Sequence, residues 1–218
     1  MLIIGFGKLA KMIVNVHPDK PLPVYNRTKQ HVEEDTNAYY VPTESFSEYM
    51  NAIIALPEEA TLSFLEAHIH EFPKQAAIYI TSTSIQTEEI ADQYPDYNIV
   101  SSKFAGHALQ SDLEKSGGTF VIPPAFLKEK KYIEKWLQDA FHVVHGEEAD
   151  VLEANQTAVE ETVELILQLE KKLKEKKHPG TDKNCRYEAD SGGSDPCAHP
   201  RRARRFCKEN LEAEGGGV

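Results

Sequence analysis

The chain has 218 residues, 40% of them hydrophobic, and a formal net charge of −11. That size fits one large domain, or one ordinary domain with an appendage. The negative charge argues against a nucleic-acid partner, which would need a basic face, and no run of about 18 apolar residues offers a membrane span.

The charge and the cysteines are unevenly placed. The net −11 falls before residue 179, while Cys185, Cys197 and Cys207 all come after it. A body without cysteine fits a reducing compartment. Met1 to Gly7 enters a strand at once, with no basic region and no apolar signal core. The expected location is the cytoplasm.

Strands and helices alternate along the body. Leu2–Ile4 is a short apolar strand ending at a glycine turn. Lys8–Val16 carries Leu9, Met12, Ile13 and Val16 at helical spacing, and His17 to Pro21 stops it. Strands follow at Leu22–Tyr25 and Tyr39–Val41, then a short helix at Ser45–Met50. Asn51–Leu56 reads as a buried strand halted by Pro57, and Glu58–Phe72 as an amphipathic helix through Leu62, Leu65 and Ile69. Ala76–Thr81 and Asn98–Ser101 are strands on either side of a helical Thr87–Gln93. Thr119–Ile122, a helix over Ala125–Phe141 with Trp136, and a strand at His142–His145 complete the pattern. This alternation implies βαβ units: a Rossmann-type, doubly wound, mainly parallel α/β sheet over residues 1–147.

From Ala149 to His178 the pattern becomes one long helix, with Leu152, Val159, Val163, Ile166 and Leu173 on one side. Its apolar stripe needs a covering surface. A homodimer through residues 151–177 is expected, with 148–178 as the start of a dimerisation domain. Residues 179–218 hold six of the twelve glycines and the cluster Arg201-Arg202-Ala203-Arg204-Arg205. They show no amphipathic period, so a disordered or non-native tail is expected, such as a shifted reading frame would leave.

The turn after the first strand reads Gly5-Phe6-Gly7-Lys8-Leu9-Ala10. It has the form of the dinucleotide fingerprint, with Ala10 at the third small position. Gly5 permits a tight turn, Gly7 leaves room for a pyrophosphate, and the first helical amides bind the phosphates. The second strand ends in Asn26-Arg27-Thr28, about 20 residues on, where NAD sites place an acidic residue. An arginine there suits the 2′-phosphate of NADP and can stack on the adenine.

These residues resemble the pyrroline-5-carboxylate reductase family, nearest to its late-competence-protein branch in spore-forming bacteria. The likeness is carried by the glycine turn, by Asn26-Arg27-Thr28, by Ile53-Ile54-Ala55-Leu56-Pro57 and by Tyr79 to Ile90. It continues through Ser101 to Ala108 and covers roughly residues 1–175. The resemblance implies hydride transfer from NADP to a cyclic imine, with the cofactor lying across Gly5–Gly7, Ala55, Leu56, Pro57, Thr81 and Thr83. It also implies a helical C-terminal domain that dimerises and completes the active site. The chain departs from the family's pattern on the substrate side. Ala55-Leu56-Pro57 replaces Val-Lys-Pro, Lys103 to Gly106 replaces Pro-Asn-Thr-Pro, and Asn155-Gln156-Thr157-Ala158 stands where Ser-Gly-Pro-Ala is expected.

Lys103 and His107 are the catalytic candidates, to polarise a carbonyl or imine or to donate a proton, because both fall near the carboxyl end of the sixth strand. His68 with His70, and His142 with His145, lack a third metal ligand at suitable spacing. Cys185, Cys197, His199 and Cys207 lack a Cys-x-x-Cys knuckle, which argues against zinc. A second class remains open beside the reductase: an NADP-binding or NADP-sensing module without turnover.

Overall fold

A computed structural model of the chain describes residues 1–176. The chain divides into the units Met1–Glu170 and Lys171–Val218. The expected tail, with its cysteines and arginine cluster, lies outside the described residues.

Six strands form a parallel sheet: β1 (Leu2–Ile4), β2 (Leu22–Tyr25), β3 (Ala38–Tyr40), β4 (Asn51–Ile54), β5 (Ala77–Ile80) and β6 (Asn98–Ser101). Their spatial order is β3-β2-β1-β4-β5-β6. This is the doubly wound order, reversing direction between β1 and β4, and such reversals open a crevice at the strands' carboxyl ends. The helices between the strands are α1 (Lys8–Val16), α2 (Gln30–Glu33), α3 (Glu58–His68) and α4 (Thr87–Gln93).

The strands are mainly apolar because both faces are covered. Ile3, Val24, Ile53, Tyr79 and Val100 join Met12 and Ile13 of α1 in one core. Leu2, Ile4, Ile54, Ile78 and Ile99 join Phe46, Phe64 and Leu65 in the other. Alternation along each strand thus splits its residues between two cores.

Ser102 marks a change of sheet. Its backbone amide still donates to Ile80 O of β5 at 3.0 Å, extending the ladder of β6. One residue later the chain becomes β7 (Lys103–Ala105), the first strand of a second sheet. There β7 pairs antiparallel with β8 (Thr119–Ile122), which pairs parallel with β9 (His142–His145). Helix α6 (Leu127–Leu137) crosses from β8 to β9, buries Ile133 and Leu137, and fills the first core. The helix expected over Ala125–Phe141 is therefore shorter and is flanked by 3-10 turns at Pro124–Phe126 and Gln138–Ala140. Gln138 has φ +54°, which interrupts the α-helical run.

His17 ties α1 to α6. Its Nδ1 accepts from the Asp19 amide at 3.0 Å, and its Nε2 donates to Trp136 O at 2.7 Å. Both ring nitrogens of this buried histidine are satisfied, which gives it a packing role.

Helix α5 (Ala108–Glu114) and the final helix α7 (Glu148–Lys176) complete the described residues. The face of α7 formed by Glu148, Val151 and Asn155 docks on the α/β body. Val151 is buried, and Asn155 Nδ2 donates to Phe104 O at 3.4 Å. Beyond Asn155 the apolar side chains Val159, Val163, Leu165, Ile166, Leu167 and Leu169 are exposed. Among the described residues no helix is long and apolar enough to cross a membrane.

Candidate functional site

The glycine turn has the geometry its spacing predicts. Gly5 has φ +95°, and a Cβ there would stand 2.6 Å from Leu56 Cδ2 and 2.8 Å from Ala55 O. Gly7 is the N-cap of α1, and a Cβ built on it would meet nothing within 4 Å. One glycine is required by the protein itself, while the other borders open space. No side chain caps α1. The amides of Lys8, Leu9 and Ala10 have no intrahelical acceptor, and they point toward that space. Phe6 is buried and Leu9 packs on the core, so both would serve a ligand through their backbone. The exposed Lys8 also leaves its ammonium in solvent.

From this turn a cleft of about 530 Å³ runs between the end of β2 and helix α3. Its walls include Gly5, Asn26 and Arg27 on one side and Leu56, Ala60 and Phe64 on the other. Arg27 is exposed, and Asn26 Nδ2 donates to Thr28 O at 2.9 Å, which fixes the loop that carries Arg27. The arrangement offers a cation at Arg27 and, on the α3 side, the apolar Leu56, Ala60 and Phe64 interleaved with Glu59 and Ser63. Leu56 lines the cleft, Ala55 is buried, and Pro57 is the N-cap of α3 with extended backbone.

The loop after β5 brings Thr81 and Thr83 to the same carboxyl edge of the sheet. Thr81 is buried, and its hydroxyl donates to Ile54 O at 2.7 Å, so it ties β5 to β4. Thr83 is half-buried beside it.

Lys103 lies inside the protein rather than beside the cleft. It is 1% exposed. Its ammonium donates to Ser82 O at 2.7 Å and Ile85 O at 2.8 Å, and it pairs with Glu148 Oε2 at 3.4 Å. Three partners use its three hydrogens. Burial pulls the Lys103 pKa below the usual lysine range, against the raising effect of Glu148. Glu148 is in turn pushed up by burial. That effect is outweighed by the neighbouring hydroxyls of Thr87 and Ser101, the Lys103 charge and the Thr87 amide, which leave its carboxyl below the ordinary value. His107 is the exposed N-cap of α5, where its Nδ1 accepts from the Gln110 amide at 3.2 Å. The structure therefore does not bring Lys103 and His107 together in one cleft.

Glu148 was not singled out from the sequence, and His68 was weighed there only as a metal ligand. Glu148 is the first residue of α7, and only the fold sets it against Lys103. His68 lines the far end of the cleft. The spacing of Ala60, Phe64 and His68 was an available signal, since residues four apart share a helix face. Among the described residues no group of three or more His, Cys, Asp or Glu side chains is placed to hold a metal ion.

Strand order and glycine turn together define a Rossmann-type α/β fold. No protein-family profile matches the chain, and no curated protein matches it. Solved structures do resemble it. A protein from Bacteroides fragilis described as a candidate NADP oxidoreductase superposes with TM-score 0.62 at 14% identity, over 98% of this chain and 80% of its own. An imine reductase from Aspergillus terreus, in complex with NADPH4 and a dibenzazepine, gives TM-score 0.56 at 13% identity over 77% of this chain. The 3-hydroxyisobutyrate dehydrogenase of Mycobacterium tuberculosis gives 0.55 at 12% identity, also over 77%. This chain spans 62% of the Aspergillus chain and 65% of the Mycobacterium chain.

Proposed function

We propose that the chain binds NADP(H) across its glycine turn and belongs to a reductase that delivers hydride to a small imine or carbonyl compound. The observation that carries this reading is the continuous cleft from Gly5 to Arg27. It joins an uncapped helix N-terminus, suited to a pyrophosphate, to a cation suited to a 2′-phosphate. The descriptions of the structural neighbours, an NADP oxidoreductase and an imine reductase among them, support the same class. The sequence resemblance to pyrroline-5-carboxylate reductases narrows the proposed substrate to a cyclic imine.

The test is thermal shift with NADPH, NADH and no ligand, since a ligand that binds only the native state raises Tm. NADPH is expected to stabilise the protein more than NADH does. Arg27→Asp is expected to lower the NADPH-over-NADH affinity ratio by about ten- to a hundredfold, the range for losing a hydrogen bond to a charged group. Equal stabilisation of the parent protein by the two cofactors overturns the 2′-phosphate assignment.

A second reading, binding without turnover, is favoured by the partners of Lys103 and His107. We assign Lys103 to anchoring α7 and His107 to capping α5, which leaves proton donation to residues outside this pair. NADPH oxidation with a panel of cyclic imines separates the two readings. Tight binding with no oxidation of NADPH on any of them selects the binding module.

We also assign the exposed stripe of α7 to a second copy of the chain. Val159, Thr162, Ile166, Leu169 and Leu173 follow alternating steps of three and four, the seam of paired helices. Val159→Glu with Ile166→Glu is expected to convert a dimer to a monomer in sedimentation velocity. A monomeric parent protein ends this assignment.

A further inference from the structure

The cleft ends at His68, the last residue of α3. Three neighbouring rings hold its imidazole, with centroids 5.3 Å away for Phe64, 6.0 Å for Tyr25 and 6.3 Å for Phe46. Its Nδ1 stands 3.2 Å from Glu71 Oε1. A carboxylate only accepts, so Nδ1 carries the hydrogen, and in that tautomer Nε2 is the ring's acceptor. Among the described residues Nε2 takes part in no hydrogen bond, and Glu71 holds the ring only through Oε1 at Nδ1, its Oε2 being buried and unpaired. A ring fixed this firmly, with one nitrogen spoken for and the other unused at the end of a cleft, is arranged to meet a donor.

We propose that His68 reads the amino edge of a purine base: Nε2 accepts from the exocyclic amine of adenine and so selects a 6-amino over a 6-oxo base. This rests on the reading that the cleft takes the adenosine half of a dinucleotide. The chemistry follows the order of the walls. The glycine turn takes the pyrophosphate, Arg27 takes the 2′-phosphate and one face of the base, and Ala60 and Phe64 take its other face. The amine, furthest from the phosphates, then reaches the last turn of α3. A 6-oxo purine sets a carbonyl lone pair against the Nε2 lone pair, and neither group supplies a hydrogen. Arg27 and the glycine turn cannot make this distinction, because neither touches that edge.

The experiment titrates the full chain with NADPH and with its hypoxanthine analogue, following the fluorescence of the reduced nicotinamide. The parent protein is expected to bind NADPH at least about tenfold more tightly, the equivalent of one hydrogen bond to a fixed acceptor. His68→Phe keeps the ring packing and removes the acceptor. It is expected to bring the two affinities together, with the melting temperature checking the fold. His68→Gln, whose carbonyl can accept, is expected to retain part of the preference. Equal binding of both dinucleotides by the parent protein overturns the role of His68 while leaving the NADP reading intact. A preference that survives His68→Phe does the same. Binding of neither dinucleotide overturns both.

Discussion

Glu148→Leu is expected to destabilise the protein at neutral pH by about 3 kcal/mol. That is the low end for a broken buried ion pair, because the Glu148 side chain keeps 22% of its surface exposed. The loss is expected to exceed that of any surface charge removal, since Lys103 is then left inside with two carbonyl partners and no counter-charge. The pH dependence has a definite sign. Burial lowers the Lys103 pKa in the folded protein, so the unfolded chain binds that proton more readily and stability rises with pH between the folded and unfolded values. Removing Glu148 takes away the effect that raises this pKa and moves that window toward neutrality. The deficit of Glu148→Leu should therefore shrink as the pH is taken from neutral to alkaline. The Glu148 carboxyl, lowered in the fold, adds stability that is present above the ordinary carboxyl range and is lost as pH falls through its folded value. Urea denaturation of both proteins across pH measures all of this. An unchanged midpoint for Glu148→Leu at neutral pH shows that the pair holds nothing together.

That pair also shows where the sequence stops being legible. Lys8–Val16, Leu22–Tyr25, Thr87–Gln93 and Thr119–Ile122 are found where local pattern puts them, because each is defined by its own apolar spacing and its own stop signals. The third strand is displaced by one residue, to Ala38–Tyr40, and the helix after Pro57 ends at His68 with a 3-10 turn beyond it. Three elements were not legible. Helix α2 is only four residues long, β7 only three, and α5 buries none of its residues, so none presents a periodic face. The depth of Lys103 follows from the change of sheet at Ser102, a tertiary event with no local signature. The residues of the proposed cofactor half carry a local sequence signal for the opposite reason. A glycine at positive φ and an arginine after the second strand are tied to their positions by short-range geometry. The proposed roles of Glu148 and His68 depend on which distant surface their helices meet.

Gly5→Ala and Gly7→Ala are expected to fail in different ways, and the difference tests the glycine turn itself. At Gly5 the new Cβ would stand 2.8 Å from Ala55 O. That carbonyl cannot easily retreat, because the Ala55 amide is bonded to Ile4 O at 2.8 Å and holds β4 against β1. Overpacking and a left-handed backbone together cost about 3 kcal/mol or more, so Gly5→Ala should lower Tm whether or not cofactor is present. At Gly7 the φ of −84° suits any residue, and the added methyl meets no protein atom. Gly7→Ala should keep the parent Tm within the change of a neutral surface substitution, about 0.5 kcal/mol. Its methyl instead occupies the space assigned to the pyrophosphate, and NADPH affinity should fall more than tenfold, about 1.4 kcal/mol or more. Thermal melts with and without NADPH read both effects on the same samples. A Gly7→Ala protein that binds NADPH as the parent does moves the pyrophosphate away from this turn. A Gly5→Ala protein with unchanged Tm contradicts the close approach of Ala55 and Leu56. Only the contrast, a stability loss at one glycine and an affinity loss at the other, fits a turn whose first glycine serves the fold and whose second serves the ligand.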